Sequence, residues 1–290
     1  MKQQTVLKVR DLEVEFSTDE GTVKILKGVS FDVRAGRTLG LVGESGSGKS
    51  VTSMSIMGLL PKPYGQITKG EIWYRDTDLT KMVERDLYQM RGNRISIIFQ
   101  DPMTALNPVQ TVGNQLVEVL DLHHSHMSKA EKVDYSIGLL EKVKIPMPEL
   151  RFQEYPHNLS GGMRQRVMIA MALACKPDVL ICDEPTTALD VTVQASILKL
   201  MKELQEETGM AMIFITHDLG VVAEICDDVA VMYDGRIVEN ADVFELFDYP
   251  KHPYTKRLLS LIPDSDSESK HAIQVVPIDL SLFPEYQGAS

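Results

Sequence analysis

Residues 5–16 alternate apolar and polar, with Leu7, Val9, Leu12, Val14 and Phe16 prominent, and a similar rhythm runs through Val29, Phe31 and Val33. Alternation of period two predicts strands with one buried face. Asp19-Glu20-Gly21 between them reads as a turn, so the pair predicts an antiparallel edge or subdomain. Leu39-Gly40-Leu41-Val42 is a short apolar run, the pattern of a fully buried strand. A helix through Met54, Met57 and Leu60 follows, with Pro61 and Pro63 as its stop. Further strands are expected at 70–74 and 95–99.

From about 110 to 155 the period changes to that of helices. Val112, Leu116, Val119 and Leu120 share one helical face, and Val133, Ile137, Leu140 and Val143 share another; Pro146 and Pro148 mark the next junction. Beyond it, strands at 179–182, 210–216 and 229–233 alternate with helices at 191–207 and up to about 226. Such alternation predicts a largely parallel sheet flanked by helices, here an α/β body with an antiparallel β subdomain and a helical insert. Residues 264–270 read as an acidic linker, and the remainder as a short tail.

Composition narrows the classes. The chain has 290 residues, 43% of them apolar, which is ample for a sizeable core. A formal net charge of −11 argues against a broad nucleic-acid surface, and no nucleic-acid partner is expected. The start shows no secretory pattern, and the best apolar run, 167–175, is far too short to span a bilayer. A membrane role would therefore come through a partner. Cys175, Cys182 and Cys226 sit in apolar segments without close spacing and read as buried thiols. His123, His124, His126 and His252 lack a matching ligand set and read as helix-surface or solvated residues.

The chemistry starts where the strand at 39–42 breaks into Gly43-Glu44-Ser45-Gly46-Ser47-Gly48-Lys49-Ser50, a complete G-x-x-x-x-G-K-S phosphate loop. Small residues let backbone N–H groups curl around phosphate oxygens, Lys49 reaches the β- and γ-phosphates, and the Ser50 hydroxyl suits Mg²⁺. The next helix adds the positive end of its dipole. The strand at 179–182 ends in Asp183-Glu184. One carboxylate suits the metal's shell, and the other suits orienting, or taking a proton from, an attacking water.

Leu159-Ser160-Gly161-Gly162-Met163-Arg164-Gln165 precedes an apolar helix carrying Val167, Ile169, Met171 and Leu173, so it forms a second helix start suited to an anion. With the phosphate loop and the acidic strand, it resembles the signature of ABC-type ATPases. Gln100 resembles that family's lid glutamine, Ala188-Leu189-Asp190 its D-loop and His217 its switch histidine. The resemblance implies a P-loop nucleoside triphosphate hydrolase of ABC type over residues 1–263, with a helical subdomain at about 103–175 and a tail at 264–290. It implies ATP and Mg²⁺, held between two subunits in a head-to-tail dimer. Catalysis would fall to Glu184, His217, Gln100 and Lys49, and the metal to Ser50, Gln100 and Asp183. Nucleotide would meet Phe16 at the adenine and Gly43, Glu44, Ser45, Gly46, Ser47, Gly48, Lys49 and Ser50 at the phosphates. Across the dimer it would meet Ser160, Gly161, Gly162 and Gln165, with Asp190 crossing the interface.

Gln100-Asp101-Pro102-Met103-Thr104-Ala105-Leu106-Asn107-Pro108 and Pro250-Lys251-His252-Pro253-Tyr254-Thr255 are similar to the oligopeptide, dipeptide and nickel importer branch. That branch implies an ATPase at the cytoplasmic face of the cell membrane. Its partners would be two transmembrane permeases, an extracytoplasmic solute-binding protein and a second ATPase subunit, either a related chain, which the resemblance favours, or a copy. The helical insert and the segment after Gln100 would receive the permeases. Many such relatives carry a late cysteine cluster; here no cysteine follows Cys226, which excludes a four-cysteine iron–sulfur site in that tail. Peptide and nickel or other metal-complex cargo both stay open. A soluble ABC ATPase of DNA repair or translation is the rival from another class, disfavoured by the acidic charge and the single ATPase core.

Overall fold

The computed structural model describes residues 4–100, 105–187 and 189–261. An antiparallel sheet of four strands uses β1 (Thr5–Thr18), β2 (Gly21–Arg34), β4 (Gly65–Tyr74) and β5 (Thr77–Asp78) in the order β2-β1-β4-β5. The apolar side of β1 changes parity between Val9 and Leu12. A register shift at that point, with Asp11 at φ 44°, resets the alternation, so Leu7, Val9, Leu12 and Val14 are all fully buried. One extra residue in a bulge achieves this, where an unbroken strand would expose half of them.

The second sheet has six strands: β3 (Thr38–Val42), β6 (Ile95–Ile98), β7 (Val179–Asp183), β8 (Ala211–Thr216), β9 (Asp228–Tyr233) and β10 (Arg236–Asp242). Their order is β10-β9-β3-β8-β7-β6, parallel throughout except for the β10 edge. Strands β3, β7 and β8 are buried at every position, which is why they read as continuous apolar runs. Open parallel sheets bind ligands beyond the carboxyl ends of their strands. Four segments singled out by the sequence leave the sheet there, after β3, β6, β7 and β8.

Helix α1 (Lys49–Met57) ends at Gly58, whose left-handed conformation caps Met54 and Ser55. The expected stop at Pro61 and Pro63 is thus pre-empted by a glycine that closes the helix a turn earlier. The short α2 (Glu84–Met90) has no buried residue and left no clear apolar period. The helical insert comprises α3 (Val112–His123), α4 (Lys129–Lys142), α5 (Pro148–Gln153) and α6 (Gly161–Leu173). Thr111 caps α3 through the Asn114 N–H, and Ser128 with Glu131 forms a reciprocal capping box on α4. After β7 come α7 (Val191–Thr208) and α8 (Leu219–Ile225). The chain then adds β10, α9 (Val243–Asp248) and α10 (Pro253–Ser260), none of which the periodicity predicts.

Two apolar cores result. Leu116, Leu120, Leu140, Val167 and Phe214 belong to one, between the mixed sheet and the helices. Leu7, Val14, Leu41, Ile213 and Ile215 belong to the other, between the two sheets. The three cysteines are free and buried; burial alone pushes the Cys175 thiol up to about 11. Asp101, Pro102, Met103, Thr104, Ala188 and the expected tail at 264–290 lie outside the described residues.

Candidate active site

The loop from Gly43 to Gly48 connects β3 to α1, and its glycines are dictated by close approach. A Cβ on Gly43 would sit 2.1 Å from the Met232 carbonyl oxygen; one on Gly48, at φ 105°, would sit 2.7 Å from Leu26 and 2.9 Å from the Met232 side chain. Only glycine lets the loop nest this tightly against β9 and β2. Lys49 is enclosed, and its ammonium donates to the carbonyls of Gly43 at 2.8 Å and Glu44 at 2.9 Å. Burial pushes its pKa down, opposed by the nearby carboxylates of Glu184, Asp183 and Glu44. Ser47 Oγ is buried and has no hydrogen-bond partner among the described residues.

Asp183 ends β7, and the Ser50 hydroxyl donates to its Oδ1 at 3.2 Å while Ser53 donates to Oδ2 at 3.4 Å. Burial pushes its carboxyl up; the Ser50 hydrogen bond opposes this, Glu184 adds to it, and Ser53 and Lys49 oppose it further. An acid whose pKa is raised on folding favours the native state at pH below that value, and this contribution is lost as pH rises through it. At pH well above the ordinary carboxylate value this group therefore weighs against the nucleotide-free fold. Asp183→Asn is expected to raise the Tm of nucleotide-free, metal-free protein by a few degrees near neutral pH, and the gain should shrink as pH falls into the carboxylate range. Differential scanning fluorimetry across pH reads it directly.

Glu184 follows in a left-handed backbone conformation, φ 47°, anchored by its N–H to the Ile215 carbonyl at 3.0 Å. Such a conformation in a non-glycine residue costs about 1–3 kcal/mol and persists only where surroundings enforce it. Here it turns the carboxylate toward three neighbours. Gln100 Nε2 donates to Oε2 at 3.0 Å, Thr187 Oγ1 donates to the same oxygen at 3.0 Å, and His217 Nδ1 lies 3.1 Å from Oε1. The ends of β6, β7 and β8 thus meet at one carboxylate. A carboxylate oxygen only accepts, so the tautomer that satisfies this contact carries its proton on Nδ1. Thr187 and Ser53 were not among the residues predicted; the only signal for Thr187 is a hydroxyl three positions after the glutamate, across a turn.

The second helix start lies on a different part of the chain. Ser160 is exposed and caps α6 by accepting from the Met163 N–H at 3.3 Å. Gly162 abuts α7 so closely that a Cβ would fall 2.8 Å from Val193. Asp190 caps α7 through the Val193 N–H at 2.9 Å, so the two expected cross-subunit elements brace each other. Gln165 departs from expectation. It is fully buried, because position 165 faces inward on α6 while Ser160 stays at the surface, and neither amide atom has a hydrogen-bond partner among the described residues. It is corrected from a nucleotide contact to an enclosed residue of this helix. Phe16 lies in β1 opposite Val23 and Gly65, half-buried, and a Cβ on Gly65 would sit 3.0 Å from its ring. His252 is partly exposed at the start of α10, where its Nδ1 caps the helix by accepting from the Tyr254 N–H at 3.1 Å.

The chain is similar to known proteins in sequence and in fold. The ABC transporter family model matches residues 26–187. The oligopeptide transport ATP-binding protein OppD of Bacillus subtilis is 52% identical over 94% of this chain and 76% of its own length. The dipeptide transport ATP-binding protein DppD of the same organism is 53% identical over 94% and 81%. A probable peptide ABC transporter ATP-binding protein, y4tR, of Sinorhizobium fredii is 51% identical over 95% and 82%. Among solved structures, the dimeric ATP-binding cassette MJ0796 bound to ADP and Pi superposes with a TM-score of 0.72 at 27% identity, covering 82% of this chain and 98% of that one. The cbiO1 protein of Clostridium perfringens superposes with a TM-score of 0.71 at 29% identity, covering 84% and 91%.

Proposed function

The chain belongs to the ABC transporter family of ATP-binding proteins, and on that premise we propose that it hydrolyses ATP to drive import of di- or oligopeptides through partner permeases. The observation that carries the hydrolytic reading is the Glu184 carboxylate gripped by Gln100, Thr187 and His217 next to the Ser50–Asp183 pair. A carboxylate fixed by three neighbours at the end of a phosphate-loop sheet suits the placing of one water for in-line attack.

The residues fit Mg²⁺. Ser50 and Asp183 offer hard oxygen ligands, and Asp183 is a buried carboxylate that makes no ion pair among the described residues. Ser50 and Asp183 would hold the ion, with Gln100 at its edge, and when bound it supplies neutralisation of charge on the phosphate oxygens. The residues of the chain do the rest. Lys49 uses its remaining N–H for phosphate oxygens, Ser47 gains a partner for its orphaned hydroxyl, and backbone N–H groups of 46–50 line the phosphates. Glu184 orients water and accepts its proton, while His217 and Gln100 keep the carboxylate aimed. Phe16 is assigned to the adenine.

Ser160, Gly161, Gly162 and Asp190 are assigned to a second ATPase subunit's nucleotide, across a head-to-tail dimer. The exposure of Ser160 and Asp190, beside a Val191 that is 84% exposed, supports an interface here. Between α6, α3 and β6 lies a cleft of about 440 Å³ lined by Phe99, Leu106, Val119, Leu122, Met168 and Met171. An apolar groove that starts one residue before Gln100 suits a cytoplasmic permease helix and connects its position to Glu184. No helix among the described residues is long and apolar enough to cross a membrane, in keeping with a peripheral subunit at the cytoplasmic face.

Co-expression with its permeases and second ATPase subunit, reconstitution in vesicles, and addition of a peptide-loaded binding protein test this. ATP turnover should rise several-fold with uptake of labelled oligopeptide. Stimulation by a nickel complex but not by peptide would reassign the cargo, and stimulation by nucleic acid alone would remove the transport reading.

A further inference from the structure

The phenolic oxygen of Tyr254 accepts a hydrogen bond from the backbone N–H of Glu44 at 2.9 Å, joining α10 to the phosphate loop across 210 positions of sequence. The carbonyl of the same peptide unit, Gly43 O, accepts from Lys49 Nζ at 2.8 Å. In a planar trans peptide the N–H and C=O point in opposite directions. Tyr254 and Lys49 therefore hold one peptide plane from its two sides. We propose that Tyr254 is a positioning residue for the nucleotide: it fixes the Gly43–Glu44 peptide so that its carbonyl faces into the loop and keeps the Lys49 ammonium aimed at the phosphates. The inference rests on the ATP-binding reading above and adds to it a residue outside every phosphate-loop motif.

The surroundings leave Tyr254 little freedom. Its side chain is 1% exposed, and its ring lies 4.4 Å from that of Tyr233 at the end of β9. Its own N–H donates to His252 Nδ1 at 3.1 Å, and the N–H groups of Lys251 and His252 donate to the Glu239 carboxylate on β10 at 2.8 and 2.9 Å. Burial pushes the phenol up to about 12, so the hydroxyl stays neutral at working pH. The segment β10–α9–α10 thereby delivers one hydroxyl to one loop peptide. Without that oxygen the Glu44 N–H has no partner on this side, and the peptide is held only through Lys49. ATP would then have to select the productive orientation, which weakens binding rather than the chemical step.

Tyr254→Phe removes only the oxygen and keeps the ring packing. In the full-length chain, displacement of a fluorescent ATP analogue should give a Kd for ATP about tenfold higher than the parent's, the size expected for one lost hydrogen bond. In the assembled transporter, KM for ATP should rise in step while kcat stays within about twofold. Tyr233→Phe, which preserves the ring contact and leaves the loop untouched, should match the parent in Kd and KM. If Tyr254→Phe binds ATP as tightly as the parent, whatever its Tm, the residue only packs and the proposal is overturned. If instead the parent itself fails to bind ATP, the ATPase reading falls, a result distinguishable from the first.

Discussion

Glu184→Gln lowers ATP turnover by roughly 10²- to 10⁴-fold, the range that general-base catalysis supplies, while ATP affinity stays within a few-fold of the parent's. The split follows from where the side chain points. Lys49 and the loop carry the phosphates, and nothing in the hydrogen bonding of Glu184 belongs to that grip: its oxygens meet Gln100, Thr187 and His217. Glutamine keeps the size and one acceptor oxygen. It replaces the other with an NH₂ group, which opposes Gln100 Nε2 or His217 Nδ1 and cannot take a proton from water. Phosphate release in the assembled transporter and equilibrium binding of an ATP analogue give the two numbers. Turnover equal to the parent's would remove Glu184 from the mechanism; a matching loss of binding would make it structural.

The opposite split is expected at Lys49→Ala. One charge-assisted hydrogen-bonding group is worth about 1.5–3 kcal/mol, so ATP affinity should fall by roughly 10- to 100-fold. One further effect adds to this. The carbonyls of Gly43 and Glu44 lose their common donor, so the loop's resting shape loosens as well. Adenosine, which lacks phosphates, should be bound equally by variant and parent. Isothermal titration with ATP and with adenosine separates a phosphate-specific loss from a general collapse of the site; equal losses for both would place Lys49 in the scaffold.

Family and chemistry were legible in the chain for a simple reason. A phosphate loop needs glycines at fixed offsets from a lysine, and a strand end needs its carboxylates in register, so these residues are local in sequence and carry their own signature. The buried parallel strands were legible because burial on both faces forbids polar residues, as β3, β7 and β8 show. Elements with mixed exposure, such as β10 and α2, left no such period. Their places are set by the sheet edge and surface they cover.

What the sequence by itself determined is the inventory: which residues can bind phosphate, which can hold a metal, and which can take a proton. Only the tertiary structure decided which of them meet. Gln100, Glu184 and His217 lie far apart along the chain and converge because β6, β7 and β8 are parallel neighbours ending at one edge. Gln165 sits five positions from Ser160 yet is enclosed, because the rotation of a helix sends those positions to different sides. Tyr254 reaches Glu44 because Glu239 on β10 holds the turn before α10 and the Tyr254 ring packs on Tyr233 at the end of β9. Hydrogen bonds between residues so distant in sequence depend on packing geometry, which no local pattern encodes.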